Sequence, residues 1–154
     1  MAKEHHYTTL ITWTGNRGAG TAGYREYDRA HTISVENKDT IHASSDPAFL
    51  GDATRYNPEE LLLASLSSCH MLWYLHLCAD SGIVVTAYSD RAAGVMEENN
   101  NGGKFTAVTL YPAVQVAHES MIEKANSLHE EAHKKCFIAN SCNFPVTHEP
   151  TASV

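Results

Sequence analysis

The stretch that most constrains the fold runs from Asn57 to Ser81, with the sequence NPEELLLASLSSCHMLWYLHLCADS. Asn57 followed by Pro58 is typical of a helix start, and the next two glutamates suit the positive end of the helix dipole. From Leu61 onward, apolar side chains occupy nearly every face, so we expect a helix that is covered on most sides. Gly82 is expected just after its end. The glutamates, histidines and serines argue against a membrane span and favour a core helix of a soluble protein.

Length and charge narrow the class of protein. The chain has 154 residues, which suits one domain (residues 1–154) with a real hydrophobic core. Its formal net charge is −7, which argues against a nucleic acid or an anionic membrane as partner, because both attract clustered cations. No basic segment followed by an apolar run opens the sequence, so a signal peptide is not expected and the cytoplasm is the predicted location.

Short strands come in runs on either side of the long helix. Period-two patterns and turn residues predict strands at 7–14, 21–27, 31–36, 40–44, 83–96, 105–116 and 145–149. Residues 99–103 read as a hairpin turn, and Pro112 indicates an edge or a bulge. The apolar face of residues 119–134 predicts a second helix. Runs of strands separated by single helices predict an α+β fold with largely antiparallel pairing.

The four cysteines, which include no C-x-x-C pair, are the first candidate chemical groups. In a cytoplasmic protein, thiols that are reactive or simply buried are more common than structural disulfides. Cys69 lies inside the long helix and Cys136 lies just after the second one, and each could be a small buried hydrophobe or a nucleophile. Cys78, nine positions after Cys69, points the other way on the helix. Cys142 is interpreted as structural.

A second candidate is His129-Glu130-Glu131-Ala132-His133, which fits the H-E-x-x-H pattern of zinc hydrolases. Two histidines four residues apart share a helix face, and Glu130 would be the general base. A catalytic zinc needs a third protein ligand, which His148 or Glu149 could supply. The alternative interpretation is an exposed polar helix face.

Several of these stretches together resemble the OsmC/Ohr family of cysteine-dependent peroxidases. The resemblance rests on N-P-E-E-L-L at residues 57–62, on Cys69 ten positions after Glu59, and on Cys136 just after the next long helix. Trp13-x-Gly15, with Arg17-Gly18 beyond it, is similar to the family's N-terminal hairpin. The resemblance covers essentially the whole chain.

The resemblance implies an intertwined homodimer in which two long core helices lie between antiparallel sheets. It implies reduction of organic hydroperoxides, with Cys69 as the nucleophile that becomes a sulfenic acid and Cys136 as the thiol that resolves it. Dithiols, notably lipoylated proteins, would re-reduce the disulfide. No metal or prosthetic group is implied. A family member without catalytic activity that binds a small apolar ligand is a further alternative to the zinc hydrolase.

The family also places a glutamate and an arginine near the reactive cysteine. Glu59 matches the glutamate, yet ten residues of straight helix separate it from Cys69 by about 15 Å. Either the helix bends at its start or Glu59 serves the partner subunit. Arg17 matches the arginine, with Arg55 as the second choice. The sequence departs from the family at His70, where an apolar residue is usual, and we expect a packed or exposed histidine there.

Overall fold

The computed structural model describes residues 1–154, which form two compact units, 1–61 and 62–154. The single domain predicted over 1–154 stays a prediction, and each unit is described by itself. The first unit contains an antiparallel sheet with the strand order β1-β2-β3. Its strands are β1 (Leu10–Trp13), β2 (His31–Ser34) and β3 (Ile41–Ala43).

The strand predicted at residues 21–27 is wrong, because this segment consists of turns and bends. The Arg29 guanidinium donates hydrogen bonds to the carbonyl oxygens of Tyr24 and Tyr27, at 2.6 and 2.7 Å. Its planar group also lies over both tyrosine rings, 4.5 and 4.1 Å from their centroids. A side chain thus takes up carbonyl groups that a strand would pair with a neighbouring strand. The connection from β1 to β2 is therefore a long ordered loop.

The long helix, α1, spans Pro58–Asp80, as predicted. Asn57 Oδ1 accepts a hydrogen bond from the Glu60 backbone N–H at 2.8 Å, and the Glu60 carboxylate accepts one from the Asn57 N–H at 3.1 Å. This reciprocal pair is a capping box, which satisfies two amides at the helix start. Gly82 follows the helix end with a φ of 71°, a left-handed conformation that glycine adopts without strain.

The second unit contains two three-stranded mixed sheets and a second helix. One sheet has the order β4-β7-β9 and the other β5-β6-β8. The pairs β4/β7 and β5/β6 are antiparallel, whereas β9 adds to β7 and β8 adds to β6 in parallel. The elements are β4 (Val85–Asp90), β5 (Ala93–Asn99), β6 (Gly102–Leu110), β7 (Pro112–Val116), α2 (Ile122–Lys135), β8 (Val146–His148) and β9 (Thr151–Ser153). The α+β prediction is confirmed, with mixed sheets.

Two predicted strands, 83–96 and 105–116, each divide into two strands that belong to different sheets. Asp90 lies at the first division and reaches the second. Its carboxylate accepts hydrogen bonds from the Tyr111 backbone N–H at 2.7 Å and from the Ser67 hydroxyl at 2.5 Å. One carboxylate therefore fixes both divisions against α1.

A stripe of every fourth residue on α1 forms the centre of the second unit. Each of its members is at most 1% exposed: Leu66, His70, Tyr74 and Cys78. The apolar members divide between two clusters, one with β4, β7 and α2 and the other with β6 and β8. On α2 the buried face consists of Ala125, Leu128, His129 and Ala132. Each helix therefore brings one histidine into the interior.

The opposite side of α1 has no cover within one chain. By length and composition the helix could cross a membrane, yet it packs in the protein core along its buried stripe. Only 22% of its most apolar window is buried within the chain. Residues two positions from the buried stripe point the opposite way and are exposed: Ala64, Ser68, Leu72 and His76. This surface, the open face of α1, includes a leucine that is 63% exposed.

Candidate active site

The structure brings Cys69 and Cys136 together. Cys69 is half-buried on α1, and Cys136 is 1% exposed directly after α2. The two side chains are near enough for the Cys69 sulfur to raise the pKa of Cys136, and neither cysteine is in a disulfide. The cysteines that the family resemblance pairs are therefore neighbours in space, although 66 residues separate them in sequence.

A cavity of about 540 Å³ opens beside Cys69 along the open face of α1. Its walls are mainly apolar and come from α1 and from the segment after Cys136: Ser65, Ser68, Cys69, Leu72, Trp73, His76, Phe137 and Ile138. Trp73 and Phe137 meet edge to face, with ring centroids 5.5 Å apart. The sulfur that meets this cavity is that of Cys69, so an apolar molecule in the cavity would approach this thiol first.

The environment of Cys136 keeps its proton in place. Burial raises the pKa of the Cys136 thiol, with a smaller contribution from the adjacent Cys69 sulfur as a hydrogen-bond and charge neighbour, to about 11. Backbone amides of Ala139 and Ile138 oppose this rise in part. A protonated Cys136 can donate its S–H to Cys69. The geometry thus distinguishes an accessible thiol from a buried, protonated one.

Glu59 and Cys69 lie ten residues apart on α1, which is continuous from Pro58 to Asp80. Ten residues of such a helix give a separation of about 15 Å along its axis. Glu59 Oε2 is buried and has no hydrogen-bond partner within the chain. Its role at a cysteine stays a prediction.

The two candidate arginines both belong to the first unit, and each is paired there. Arg17 donates to the Arg25 carbonyl oxygen and lies 3.7 Å from the Asp28 carboxylate. Arg55 lies 3.5 Å from the Asp52 carboxylate. The assignment of either arginine to Cys69 stays a prediction.

The other two cysteines have local partners. Cys78 belongs to the buried stripe, one turn after Tyr74, and burial raises the pKa of its thiol. Cys78 is predicted to point away from Cys69, and in the structure Cys78 is buried in the core whereas Cys69 lines the cavity. The Cys142 thiol donates a hydrogen bond to the Ile138 carbonyl oxygen at 3.3 Å.

Sequence reasoning missed a buried pair of histidines. His70 Nε2 and His129 Nδ1 lie 2.9 Å apart, and each ring is 1% exposed. The Tyr74 ring stacks on His129 with centroids 3.8 Å apart. His148, from β8, lies 5.6 Å from His70, centroid to centroid. The period of four on α1 placed His70 in the buried stripe, and that signal could have indicated a packed histidine in need of a partner.

The H-E-x-x-H motif does not form a metal centre in this structure. His129 directs Nδ1 at His70, and Glu130 lies at the surface, 3.9 Å from Lys134 and 3.7 Å from His148. No three His, Cys, Asp or Glu side chains are arranged to hold one metal ion. The zinc-hydrolase alternative therefore has no preformed site.

The buried pair predicts a stability that depends on pH. Burial, with smaller contributions from neighbouring histidines, lowers the pKa of His70 from 6.5 to about 4 and that of His129 to about 3. Below pH 6.5 the unfolded chain binds more protons than the folded one, so stability is complete above pH 6.5 and falls as the pH drops toward 4. We expect each histidine to lower the free energy of unfolding by roughly 2 kcal/mol as the pH falls from 7 to 5.

Urea unfolding at both pH values measures this loss. The double variant His70→Gln with His129→Asn removes both titrating rings and is the control, for which the loss should shrink. An equal loss in the control would assign the pH dependence to other groups.

Comparison with known proteins finds the same fold in several relatives. Residues 51–151 match the family model of OsmC-like protein. An OsmC-like protein of unknown function from Vibrio cholerae has 32% identity and a TM-score of 0.86, over 96% of this chain and 99% of that one. An organic hydroperoxide resistance protein from Elizabethkingia anophelis has 21% identity and a TM-score of 0.68, over 98% and 99%. YmaD of Bacillus subtilis is 22% identical over 98% of this chain and 95% of its own length. The chain belongs to the OsmC-like protein family.

Proposed function

We propose that the protein reduces organic hydroperoxides with Cys69 as the nucleophile and Cys136 as the resolving thiol. The observation that carries this proposal is the contact between an accessible thiol in an apolar cavity and a buried, protonated one. The name of the Elizabethkingia anophelis relative, an organic hydroperoxide resistance protein, supports the same chemistry. The alternative in which the cavity only binds an apolar ligand gives no role to the second thiol.

The reaction balances with two thiols and an external dithiol. The Cys69 thiolate attacks the terminal peroxide oxygen, the O–O bond breaks, and the alkoxide takes up a proton and leaves as an alcohol. Cys136 then attacks the sulfur of the sulfenic acid, the S–S bond forms, and the S–O bond breaks with release of water. A dithiol, such as a lipoylated protein, becomes a disulfide itself and restores both thiols. A reducing cytoplasm would maintain the starting state.

The apolar walls favour peroxides that carry a hydrocarbon group. Trp73, Phe137 and Leu72 would bury such a group, and hydrogen peroxide has none to bury. We therefore expect kcat/KM for cumene hydroperoxide to exceed that for hydrogen peroxide by at least about 10²-fold, which corresponds to roughly 3 kcal/mol of apolar contact.

Thiol titration of the wild-type protein tests the chemistry without a reductant. One equivalent of cumene hydroperoxide should remove two free thiols per chain and form a disulfide between Cys69 and Cys136. Loss of one thiol alone would contradict the resolving role of Cys136. Full retention of the thiols, with no turnover for any dithiol, would contradict the enzymatic proposal itself.

We also propose that the protein acts as a homodimer and that a second copy covers the open face of α1. That face lies along the cavity of Cys69, and its apolar side chains have no cover in one chain. In the first unit every residue of β1 is also exposed, including Leu10 and Ile11 at 63% and 57%. Glu59, which ten helical residues separate from Cys69 of its own chain, would serve the Cys69 of the second copy in such a dimer.

A charge on the open face should therefore prevent dimerisation. Leu72→Glu would place a carboxylate in an apolar interface, and we expect the dimer dissociation constant to rise at least about 10²-fold. Sedimentation velocity across protein concentrations measures this change. Val84→Glu, at a residue that is 52% exposed outside the helix, is the matched control and should remain dimeric. A wild-type protein that is monomeric at micromolar concentration would disprove the dimer.

A further inference from the structure

The buried histidine pair joins the two elements that carry the thiols. His70 comes directly after Cys69 on α1, and His129 lies two helical turns before Cys136 on the same side of α2. Adjacent residues diverge by about 100° around a helix, so Cys69 and His70 reach two different points of the second helix and its end. Two contacts of this kind define both the rotation of α1 and its position against α2.

The bond between the rings is well aligned. The ring planes differ by 4°, the centroids are 5.2 Å apart, and the nitrogens between them are 2.9 Å apart. These separations place both nitrogens on the line between the ring centres. The hydrogen bond therefore lies in the planes of the two rings and points from one ring centre to the other. Such alignment leaves little freedom for either helix to rotate without loss of the bond.

This bond is also the hydrogen bond on which both rings depend. The outer nitrogens, His70 Nδ1 and His129 Nε2, are buried and have no partner. A neutral imidazole has one N–H and one lone pair, so either ring can donate while the other accepts. Loss of the shared bond would leave four buried nitrogens without partners. The surrounding groups, His148, His133, Glu130 and Tyr74, make no hydrogen bond to either ring.

We propose that the His70–His129 hydrogen bond is a positioning element that sets the approach of the Cys69 and Cys136 sulfurs. The proposal rests on the disulfide step of the proposed function. A rotation of α1 by about 10° would move a sulfur on its surface by roughly 1 Å, since side chains extend 5–6 Å from a helix axis. Disulfide geometry allows only a narrow range of Cβ separations, and a displacement of about 1 Å can slow a reaction by up to about 10²-fold.

The test uses side chains that keep or remove the bond. Glutamine places its terminal amide near the position of Nε2, and asparagine places its amide near Nδ1, so His70→Gln and His129→Asn retain a partner for the remaining ring. His70→Leu and His129→Leu remove it. His70→Asn keeps a polar side chain at this position, but that side chain is too short to reach His129. If the leucine variants fail to fold, this variant shows whether loss of the hydrogen bond slows disulfide formation.

The measured quantity is disulfide formation between Cys69 and Cys136 in glutathione buffers, which requires no peroxide. Two protein thiols become one disulfide as one oxidised glutathione becomes two reduced ones. We expect the rate of disulfide formation between Cys69 and Cys136 to fall at least about tenfold in the leucine and His70→Asn variants. In His70→Gln and His129→Asn it should stay within about threefold of the wild-type rate. Urea midpoints at pH 7 show which variants are folded.

Two outcomes overturn the proposal. One is a rate of disulfide formation equal to that of the wild type in every folded variant. The other is closure in His70→Gln and His129→Asn that is as slow as in the variants without a bond, because the hydrogen bond would then not be the cause. The wild-type protein could form the disulfide normally in glutathione buffers and yet reduce no peroxide. That result would disprove the proposed function and leave the positioning role intact.

Discussion

Cys69→Ser should abolish hydroperoxide reduction, with a loss in dithiol-dependent turnover of at least about 10³-fold. A serine hydroxyl stays protonated near neutral pH and is a far weaker nucleophile than a thiolate, so the peroxide bond would not be broken. The size of the side chain hardly changes, and the half-buried position should tolerate it. The measurement is consumption of cumene hydroperoxide in the presence of dihydrolipoamide.

Cys142→Ser is the matched control for that variant. Its hydroxyl can donate to the Ile138 carbonyl oxygen as the thiol does, and residue 142 does not line the cavity. We expect turnover within about twofold of the wild type, since surface-near substitutions with retained contacts change little. Equal losses in both variants would indicate unfolding instead of a lost nucleophile, and an active Cys69→Ser protein would remove the assignment.

Cys136→Ser should separate the two chemical steps. Cys69 remains able to attack the peroxide, so the first turnover should proceed at nearly the wild-type rate. The sulfenic acid would then persist, and the intact chain should become about 16 Da heavier instead of about 2 Da lighter as in a disulfide. Steady-state turnover should fall at least about tenfold, because the external dithiol would have to attack a sulfur inside the cavity.

Mass spectrometry after one equivalent of peroxide, with dimedone as a trap for sulfenic acid, measures the product. If Cys136→Ser still loses about 2 Da and forms a disulfide, then Cys78 or Cys142 resolves Cys69. Both are free in the structure, so each can be replaced in turn to identify the partner.

Local sequence signals predicted α1 well because its ends depend on neighbouring residues. Asn57, Glu60 and Gly82 act within one turn of the helix, and the structure shows Asn57 and Gly82 in the expected roles. From the sequence, Glu60 is expected only to suit the helix dipole, and its carboxylate also accepts a hydrogen bond from the Asn57 N–H. Divisions between strands depend on contacts distant in sequence. Asp90 binds Tyr111 and Ser67, 21 and 23 residues away, and no turn residue marks that link in the sequence.

The candidate site divides in the same way. The family resemblance, and not the residues themselves, identified Cys69 and Cys136 as a pair, and the structure places them in contact. The bond between His70 and His129 joins residues 59 positions apart. Each histidine alone fitted another interpretation, a packed ring in one case and a metal ligand in the other. Only the tertiary structure shows that they satisfy each other.

The parallel pairing of β8 with β6 has a consequence for how the protein acquires its thiol chemistry. Val108 pairs with Val146, and the segment between them includes α2 and Cys136. Closure of such a long segment costs chain entropy before any strand contact forms, so this pairing should occur late in folding. Until then Cys136 lacks the burial that raises its pKa, so a larger fraction of its thiol is ionised and solvent reaches it. Oxidant present during folding would therefore reach Cys136 directly, and a nascent chain would be more vulnerable to irreversible oxidation at this thiol than the folded protein.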